Sequence, residues 1–227
     1  MQRGEKMNIN SYLKTIKEVE LFNEIEEEQL HPLLSCLSAK LRHYEKGEYI
    51  YQNGDSVSKL GIVLSGQVQL TAEDYYGNKS ILMQVGPANL FAEAFACAGT
   101  ESFPFNIVAT LDCDIMFIEC QRLSSPCSNS CDFHKRLIKN LLGIVSKKNI
   151  ALTQKMEFTS KRTTREKLMA YLSAEAQQAG SSKFDIEFNR QELADYLAVD
   201  RSAMSAELSK MRDDGILRYN KNHFELL

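Results

Sequence analysis

Residues 189–217 constrain this chain more than any other stretch, because they hold two apolar stripes at helical spacing joined by a tight turn. Leu193, Ala194 and Leu197 mark the stripe of the first helix. Val199, Met204, Leu208 and Met211 carry it through the turn into the second. Between these lie Arg201, Ser202, Ser205 and Ala206, small or polar and free to face a partner. A major groove admits a helix whose exposed face is slim and hydrogen-bonding. An unliganded helical hairpin would show the same periodicity, so the residues beyond the pair decide. Asp214-Gly215 supplies a glycine stop. Residues 216–219 and 223–226 then alternate as two strands around Asn220-Lys221-Asn222. A helix pair followed at once by a hairpin predicts a winged helix-turn-helix with Lys221 at the wing tip.

These residues resemble the DNA-binding domain of the Crp/Fnr family of bacterial transcription regulators. The matching motifs are Arg190 to Ala194, the small turn residue Ala198, Arg201 to Ser205 opening the second helix, and Gly215 to Leu217 closing it. Two positions depart. Ala198 stands where many members have glycine, so the turn must accept a methyl group. Ala206 stands where many members have a second arginine, which removes one bidentate guanine contact worth about 1–3 kcal/mol of base discrimination. The expected operator therefore differs from the family's best-known one.

With 227 residues, the chain has room for two modest domains. Its 44% hydrophobic and 25% charged content is that of a globular protein. No apolar run approaches the ~20 residues of a membrane span, and residues 1–7 lack a secretion segment, so a cytoplasmic location is expected. The net charge of -3 lies entirely in the N-terminal part, since residues 153–227 hold 12 basic and 12 acidic side chains. DNA binding must then come from a local face rather than a global field. Six cysteines (Cys36, Cys97, Cys113, Cys120, Cys127 and Cys131) are expected as thiols in that compartment. Cys127 and Cys131, one helical turn apart, leave a redox role open. The pair is not a zinc-ribbon motif, and the four histidines are scattered, so neither a metal nor another cofactor is expected. Some Fnr-like regulators hold an iron–sulfur cluster on a tight N-terminal cysteine group, whereas that stretch here offers only Cys36.

Residues 9–21 and 26–37 read as short amphipathic helices. Beyond Tyr44 the period changes to short β segments over 48–51, 59–64, 67–71, 80–85, 106–109 and 114–118. Turn residues at 46–47, 53–55, 65–66, 77–78 and 86–87 separate them. Such spacing predicts an antiparallel barrel or jelly roll. Residues 20–120 resemble the cyclic-nucleotide-binding barrel of the same family through Lys46-Gly47-Glu48, Asn53-Gly54-Asp55, the run 61–66 and the run 90–94. That resemblance implies a Phe-Gly-Glu motif for the ribose and an Arg-[ST]-Ala motif for the cyclic phosphate. Here Phe91-Ala92-Glu93 keeps the carboxylate and loses the glycine, and Phe103-Pro104-Phe105 fills the arginine window. No Arg or Lys lies between Lys79 and Arg122. Burying the phosphate unpaired would cost several kcal/mol, so cyclic AMP and cyclic GMP are not the expected ligands. Phe91, Phe95, Phe103 and Phe105 around Glu93 suit either a small hydrophobic or aromatic effector or a barrel filled by its own rings.

Ile138, Leu142, Val145, Asn149, Leu152, Met156 and Thr159 recur at alternating steps of four and three, a heptad seam with Asn149 at an a position. Leu137, Leu141 and Ile144 form a second stripe suited to packing on the barrel. A helix apolar on two sides fits between its own domain and a second copy, so a homodimer is expected. A twofold pair sets its two reading helices about 34 Å apart and selects a palindrome. The polar run 159–164 suits a hinge, and a helix from Thr164 to Ala176 would turn Leu168 and Leu172 inward. On DNA, Arg201 is expected to read a guanine edge, unless it is solvated or paired with Asp200. Ser202 and Ser205 reach bases or phosphates, and Ala203 or Ala206 touches a thymine methyl. Asn189, Arg190 and Gln191 hold phosphate at a helix start, with Lys210 and Lys221 as further phosphate contacts.

The expected architecture is α+β: an effector-sensing barrel over 1–125, a dimerisation helix over 126–158 and a winged helix-turn-helix over 159–227. The expected partners are double-stranded DNA, a second copy, RNA polymerase and an unidentified small effector, with no membrane. Three rivals remain: a ligand-independent regulator with a scaffold barrel, a cupin-like metal enzyme, and a cyclic-nucleotide-controlled kinase subunit, which would leave the winged tail unexplained.

Overall fold

The computed structural model describes residues 9–73, 75–76, 79–124 and 132–227. The turn expected at Gly77-Asn78, the segment 1–7, and the Cys127 and Cys131 pair lie outside the described residues. The chain divides into two compact units, Met1–Val145 and Ser146–Leu227.

The first unit opens with a 3-10 turn, Ile9–Tyr12, then α1 (Leu13–Glu18), a second 3-10 turn, Glu20–Phe22, and α2 (Glu27–Cys36). The single helix expected over 9–21 is thus broken. Val19 takes extended backbone at φ -71 and ψ 118, and its N–H returns to the Ile16 carbonyl. A capping box between Glu26 and Gln29 starts α2.

Eight strands come next: β1 (Lys40–Tyr44), β2 (Tyr49–Tyr51), β3 (Lys59–Ser65), β4 (Val68–Glu73), β5 (Lys79–Val85), β6 (Leu90–Phe91), β7 (Asn106–Ala109) and β8 (Cys113–Glu119). They form two antiparallel sheets in the orders β1-β8-β3-β6 and β2-β7-β4-β5, a jelly roll. The run Leu60 to Leu64 is buried throughout, because β3 faces two cores. Val63, with Val68, Phe91, Phe103, Ile107, Ile115 and Phe117, fills the space within the roll. Leu60, Ile62 and Leu64, with Met116 and Ile118, pack against Ile16, Leu30, Leu34, Leu137 and Ile144 from the helices. Gly61 is required by the Phe91 ring, since a Cβ there would sit 2.1 Å from it. Two short helices interrupt and end the roll: α3 (Glu93–Ala98) and α4 (Cys120–Ser124).

The 28-residue helix α5 (Asp132–Thr159) begins in the first unit and ends in the second. Leu137 and Ile144 are buried in the core outside the roll, and Leu141 packs against it. The seam residues Ile138, Leu142, Val145, Asn149, Leu152 and Met156 are exposed, Leu142 at 66% and Met156 at 70%.

After a break at 160–163, α6 (Thr164–Ala179) starts on a Thr163–Glu166 capping box and buries Leu168 and Leu172. Then come β9 (Lys183–Asp185), α7 (Arg190–Leu197), α8 (Arg201–Asp213), β10 (Leu217–Asn220) and β11 (His223–Leu226). The small sheet has the order β10-β11-β9. Leu168, Leu172, Leu193, Leu197, Met204, Leu208, Met211, Leu217 and Phe224 are wholly buried in one core. This is a winged helix-turn-helix with a third strand added to the wing.

The expectation that the cysteines are thiols is corrected for one pair. Cys97 at the end of α3 is joined to Cys120 at the start of α4 by a disulfide. The residues are 23 apart, and β7 and β8 between them return the chain to α3, which sequence spacing does not display. Cys36 and Cys113 are free.

Candidate nucleic-acid interface

The candidate interface is built on α7, α8 and the wing. Asn189 caps α7: its Oδ1 accepts the N–H groups of Gln191 at 2.9 Å and Glu192 at 3.0 Å, while Glu192 accepts the Asn189 N–H at 2.7 Å. The backbone N–H groups of Asn189, Gln191 and Glu192 are therefore engaged by the cap. Gln191 gives its side-chain amide to Asp195 at 2.9 Å. Asn189 thus caps the helix, and an acid three residues on, Glu192, completes the box.

Arg190 is engaged by the wing. Its guanidinium lies 5.0 Å from the ring centroids of both Tyr219 and Phe224, and Nη2 donates to the Lys221 carbonyl at 2.7 Å. Nη1 is buried without a hydrogen-bond partner among the described residues. Burial pulls its pKa below the usual arginine value. This side chain holds the wing instead of reaching outward.

The turn between α7 and α8 is made by Ala198, at φ 50 and ψ 60, a left-handed conformation that favours glycine. The Leu197 and Ala198 carbonyls accept from Lys167 Nζ, both at 3.1 Å. Lys167, missed in the sequence, ties α6 to this turn. Its only signal there was a lysine on an otherwise apolar-stepped helix.

Asp200 caps α8 by accepting the Ala203 N–H at 2.8 Å, so its carboxylate is committed to the backbone. Arg201, Ser202, Ala203, Ser205, Ala206 and Lys210 are exposed, while Met204, Leu208 and Met211 are wholly buried. The Arg201 guanidinium has no ion-pair or hydrogen-bond partner among the described residues. Ser205 donates to the Arg201 carbonyl at 2.9 Å, and Ser209 donates to that of Ser205 at 3.1 Å. With its proton turned inward, the Ser205 oxygen faces outward as an acceptor. Lys210 lies 3.8 Å from Glu207, and Arg165 spans Glu207 at 3.5 Å and Asp214 at 2.6 Å. Lys221 is exposed at the wing tip with φ 51.

In the first unit, the residues expected around an effector are brought together. The rings of Phe95, Phe103 and Phe105 meet pairwise edge to face, with centroids 4.9–5.9 Å apart. Phe91 meets Phe117 in the same way, and Glu93 is buried at the first residue of α3. Ala92, replacing the glycine of the Phe-Gly-Glu pattern, has φ 59. Among the described residues no group of three or more His, Cys, Asp or Glu gathers as a metal site, and no helix is long and apolar enough to cross a membrane.

Two family models match: a cyclic nucleotide-binding domain over residues 41–129 and a Crp-like helix-turn-helix domain over 166–227. The chain is similar to the transcriptional activator protein FnrL of Cereibacter sphaeroides, 22% identical over 185 residues, covering 78% of this chain and 71% of FnrL. It is also 26% identical over 132 residues to cGMP-dependent protein kinase 2 of Mus musculus, covering 49% of this chain and 17% of the kinase. Among solved structures, the c-di-GMP-responsive global regulator CLP of Xanthomonas campestris aligns with a TM-score of 0.57 at 18% identity, covering 88% of this chain and 99% of that one. The N-terminal domain of a transcriptional regulator from Streptomyces coelicolor aligns at 0.50 and 20% identity, covering 61% and 94%.

Proposed function

We propose that this chain, which belongs to the Crp/Fnr family of transcription regulators, binds a palindromic DNA site as a homodimer in the cytoplasm, with Arg201 reading base edges. The observation that carries this reading is the outer face of α8. It presents a guanidinium with no partner among the described residues, hydroxyls and methyl groups, with the bulk of the helix turned inward. Such a face enters a major groove without steric conflict. Ser202 and Ser205 accept from base amino groups or sit by phosphate, and Ala203 and Ala206 meet thymine methyls. Lys221 contacts phosphate from the wing, and Lys210 does so after giving up Glu207. RNA polymerase is the partner once DNA is bound.

Dimerisation is supported by the exposed heptad positions of α5, since Ile138, Leu142, Val145, Leu152 and Met156 join no core among the described residues. The barrel controls DNA binding in response to a signal other than cyclic AMP. Phe103-Pro104-Phe105 offers no cation for a cyclic phosphate. The contacts among Phe95, Phe103 and Phe105 favour a second reading, a barrel filled by its own rings that serves only as a scaffold.

Selection of bound sequences from a random DNA pool, followed by anisotropy titration, tests the function. An inverted repeat enriched by the wild type and lost with Arg201→Ala is the expected result. Enrichment of no sequence would overturn it.

A further inference from the structure

We propose that Cys97 and Cys120 form a reversible redox site through which a low-molecular-weight disulfide acts on the sensing barrel. The inference rests on the regulator reading in one respect. A protein that works on DNA shares its compartment, where thiol pools keep cysteines reduced. A disulfide found in that setting is characteristically a sensing bond rather than a permanent staple.

The two sulfurs differ in access. Cys97 is exposed on the last turn of α3, whereas Cys120 is 6% exposed at the start of α4. Formation of the bond proceeds by ordinary thiol–disulfide exchange. The Cys97 thiolate attacks one sulfur of RSSR, forming Cys97–SR and releasing RS⁻. The Cys120 thiolate then attacks the Cys97 sulfur, closing the protein disulfide and releasing the second RS⁻. The cysteine pair loses two electrons and two protons, and RSSR leaves as two RSH. Cys113 does not compete: it is wholly buried, and burial pushes its thiol up to about 11.

A physical route leads from this bond to the long helix. The disulfide ties α3, which begins with the buried Glu93, to α4. Two residues beyond Cys120, the Arg122 carbonyl meets His134 Nε2 of α5 at 3.1 Å, and Arg122 itself donates to the Cys36 carbonyl at the end of α2. Leu123 of α4 shares a core with Leu137 and Ile144 of α5. Oxidation therefore fixes α3 to the element on which α5 begins, and reduction frees it.

The test uses the full chain with Cys36→Ser, Cys127→Ser and Cys131→Ser, which removes the exposed free thiol of Cys36 and leaves Cys97 and Cys120 as the responding pair beside the buried Cys113. The protein is equilibrated in graded ratios of oxidised to reduced glutathione. Differential alkylation with mass spectrometry reads the bond, hydrogen exchange reads α3 to α5, and anisotropy reads affinity for the selected operator. Expected are a reversible two-electron titration of Cys97 and Cys120, faster exchange in α3 and α4 on reduction, and at least a fivefold change in operator affinity. Cys97→Ser, at an exposed position, should abolish all three responses. Both cysteines alkylating fully in excess oxidised glutathione would overturn the proposal, as would responses that persist in Cys97→Ser. A titrating bond with unchanged exchange and unchanged affinity would also overturn it. Loss of operator preference in both redox states would instead sink the DNA reading, while the titration and the exchange data still decide the redox site.

Discussion

Arg190 donates a 2.7 Å hydrogen bond to the backbone carbonyl of Lys221, linking the first turn of α7 to the tip of the wing. The two residues enter the interface as support and contact. Lys221 sits at φ 51, and its carbonyl is held by a cation that also stacks over Tyr219 and Phe224. Charged hydrogen bonds of this kind are worth about 1.5–3 kcal/mol. Arg190→Ala should destabilise the second unit by about 2 kcal/mol in urea unfolding and weaken binding to all DNA sequences alike. Arg190→Lys should restore little, because an ammonium does not lie as a plane over the two rings. Lys221→Ala should leave stability unchanged and lower the salt dependence of binding by about one counterion.

Ala198 occupies a left-handed turn at φ 50. A side chain there costs about 1–2 kcal/mol, offset in part by the greater freedom that glycine has in the unfolded chain. Ala198→Gly should raise stability by about 1 kcal/mol, read from the denaturation midpoint, with operator affinity preserved. A lower midpoint would show that the Lys167 clamp on the Leu197 and Ala198 carbonyls already relieves the turn.

Much of this was legible in the sequence and some was hidden, for physical reasons. The stripe Leu193, Ala194, Leu197, Met204, Leu208 and Met211 is a strong periodic signal and became a buried core. The glycine stop at Gly215 has φ 72. By contrast β1, whose residues Lys40 and Arg42 are exposed, carries too little alternation to read as a strand. The three-residue β9 and two-residue β6 are shorter than any periodic signal. The packing of Arg190 on the wing was hidden, because nothing nearby in the chain announces Tyr219 and Phe224. The Cys97–Cys120 bond was invisible for the same reason, being a contact made by β7 and β8.

The barrel carries a pH-dependent clasp. Asp114 accepts from the Tyr12 hydroxyl at 2.6 Å and Ser65 Oγ at 2.7 Å, and lies 2.8 Å from His43 Nδ1. Burial raises the Asp114 pKa, but the hydrogen bonds from Tyr12, His43 and Ser65 outweigh it, and the net shift is downward from 3.8. His43 is raised above 6.5, chiefly by its hydrogen bond to Asp114. A depressed carboxyl stabilises the fold above its unfolded pKa and is lost as pH falls through the folded one. A raised imidazole stabilises below its unfolded pKa and is lost as pH rises through the folded one. The clasp should therefore be strongest between about pH 4 and 6.5. Urea unfolding of the wild type should show this maximum, and Asp114→Asn should flatten both limbs. An unchanged profile in that variant would exclude the clasp.

The exposed seam of α5 gives a separate expectation. Leu142→Glu and Met156→Glu place charge at positions that are exposed and join no core among the described residues. Each protomer should fold with an unchanged unfolding midpoint at low concentration, yet sediment as a monomer. Asn149→Leu should keep the helices associated and relax their register.

The most direct measurement is anisotropy titration of the selected inverted repeat, against the same DNA with one half-site scrambled, using wild type and Arg201→Ala at fixed salt. Two protomers per intact site are expected, with a large loss on scrambling either half. Arg201→Ala should lose about 1–3 kcal/mol per half-site, specific to one base position. Binding as a monomer, with equal affinity for intact and scrambled DNA and no effect of Arg201→Ala, would contradict the role of this chain as a twofold reader of base sequence.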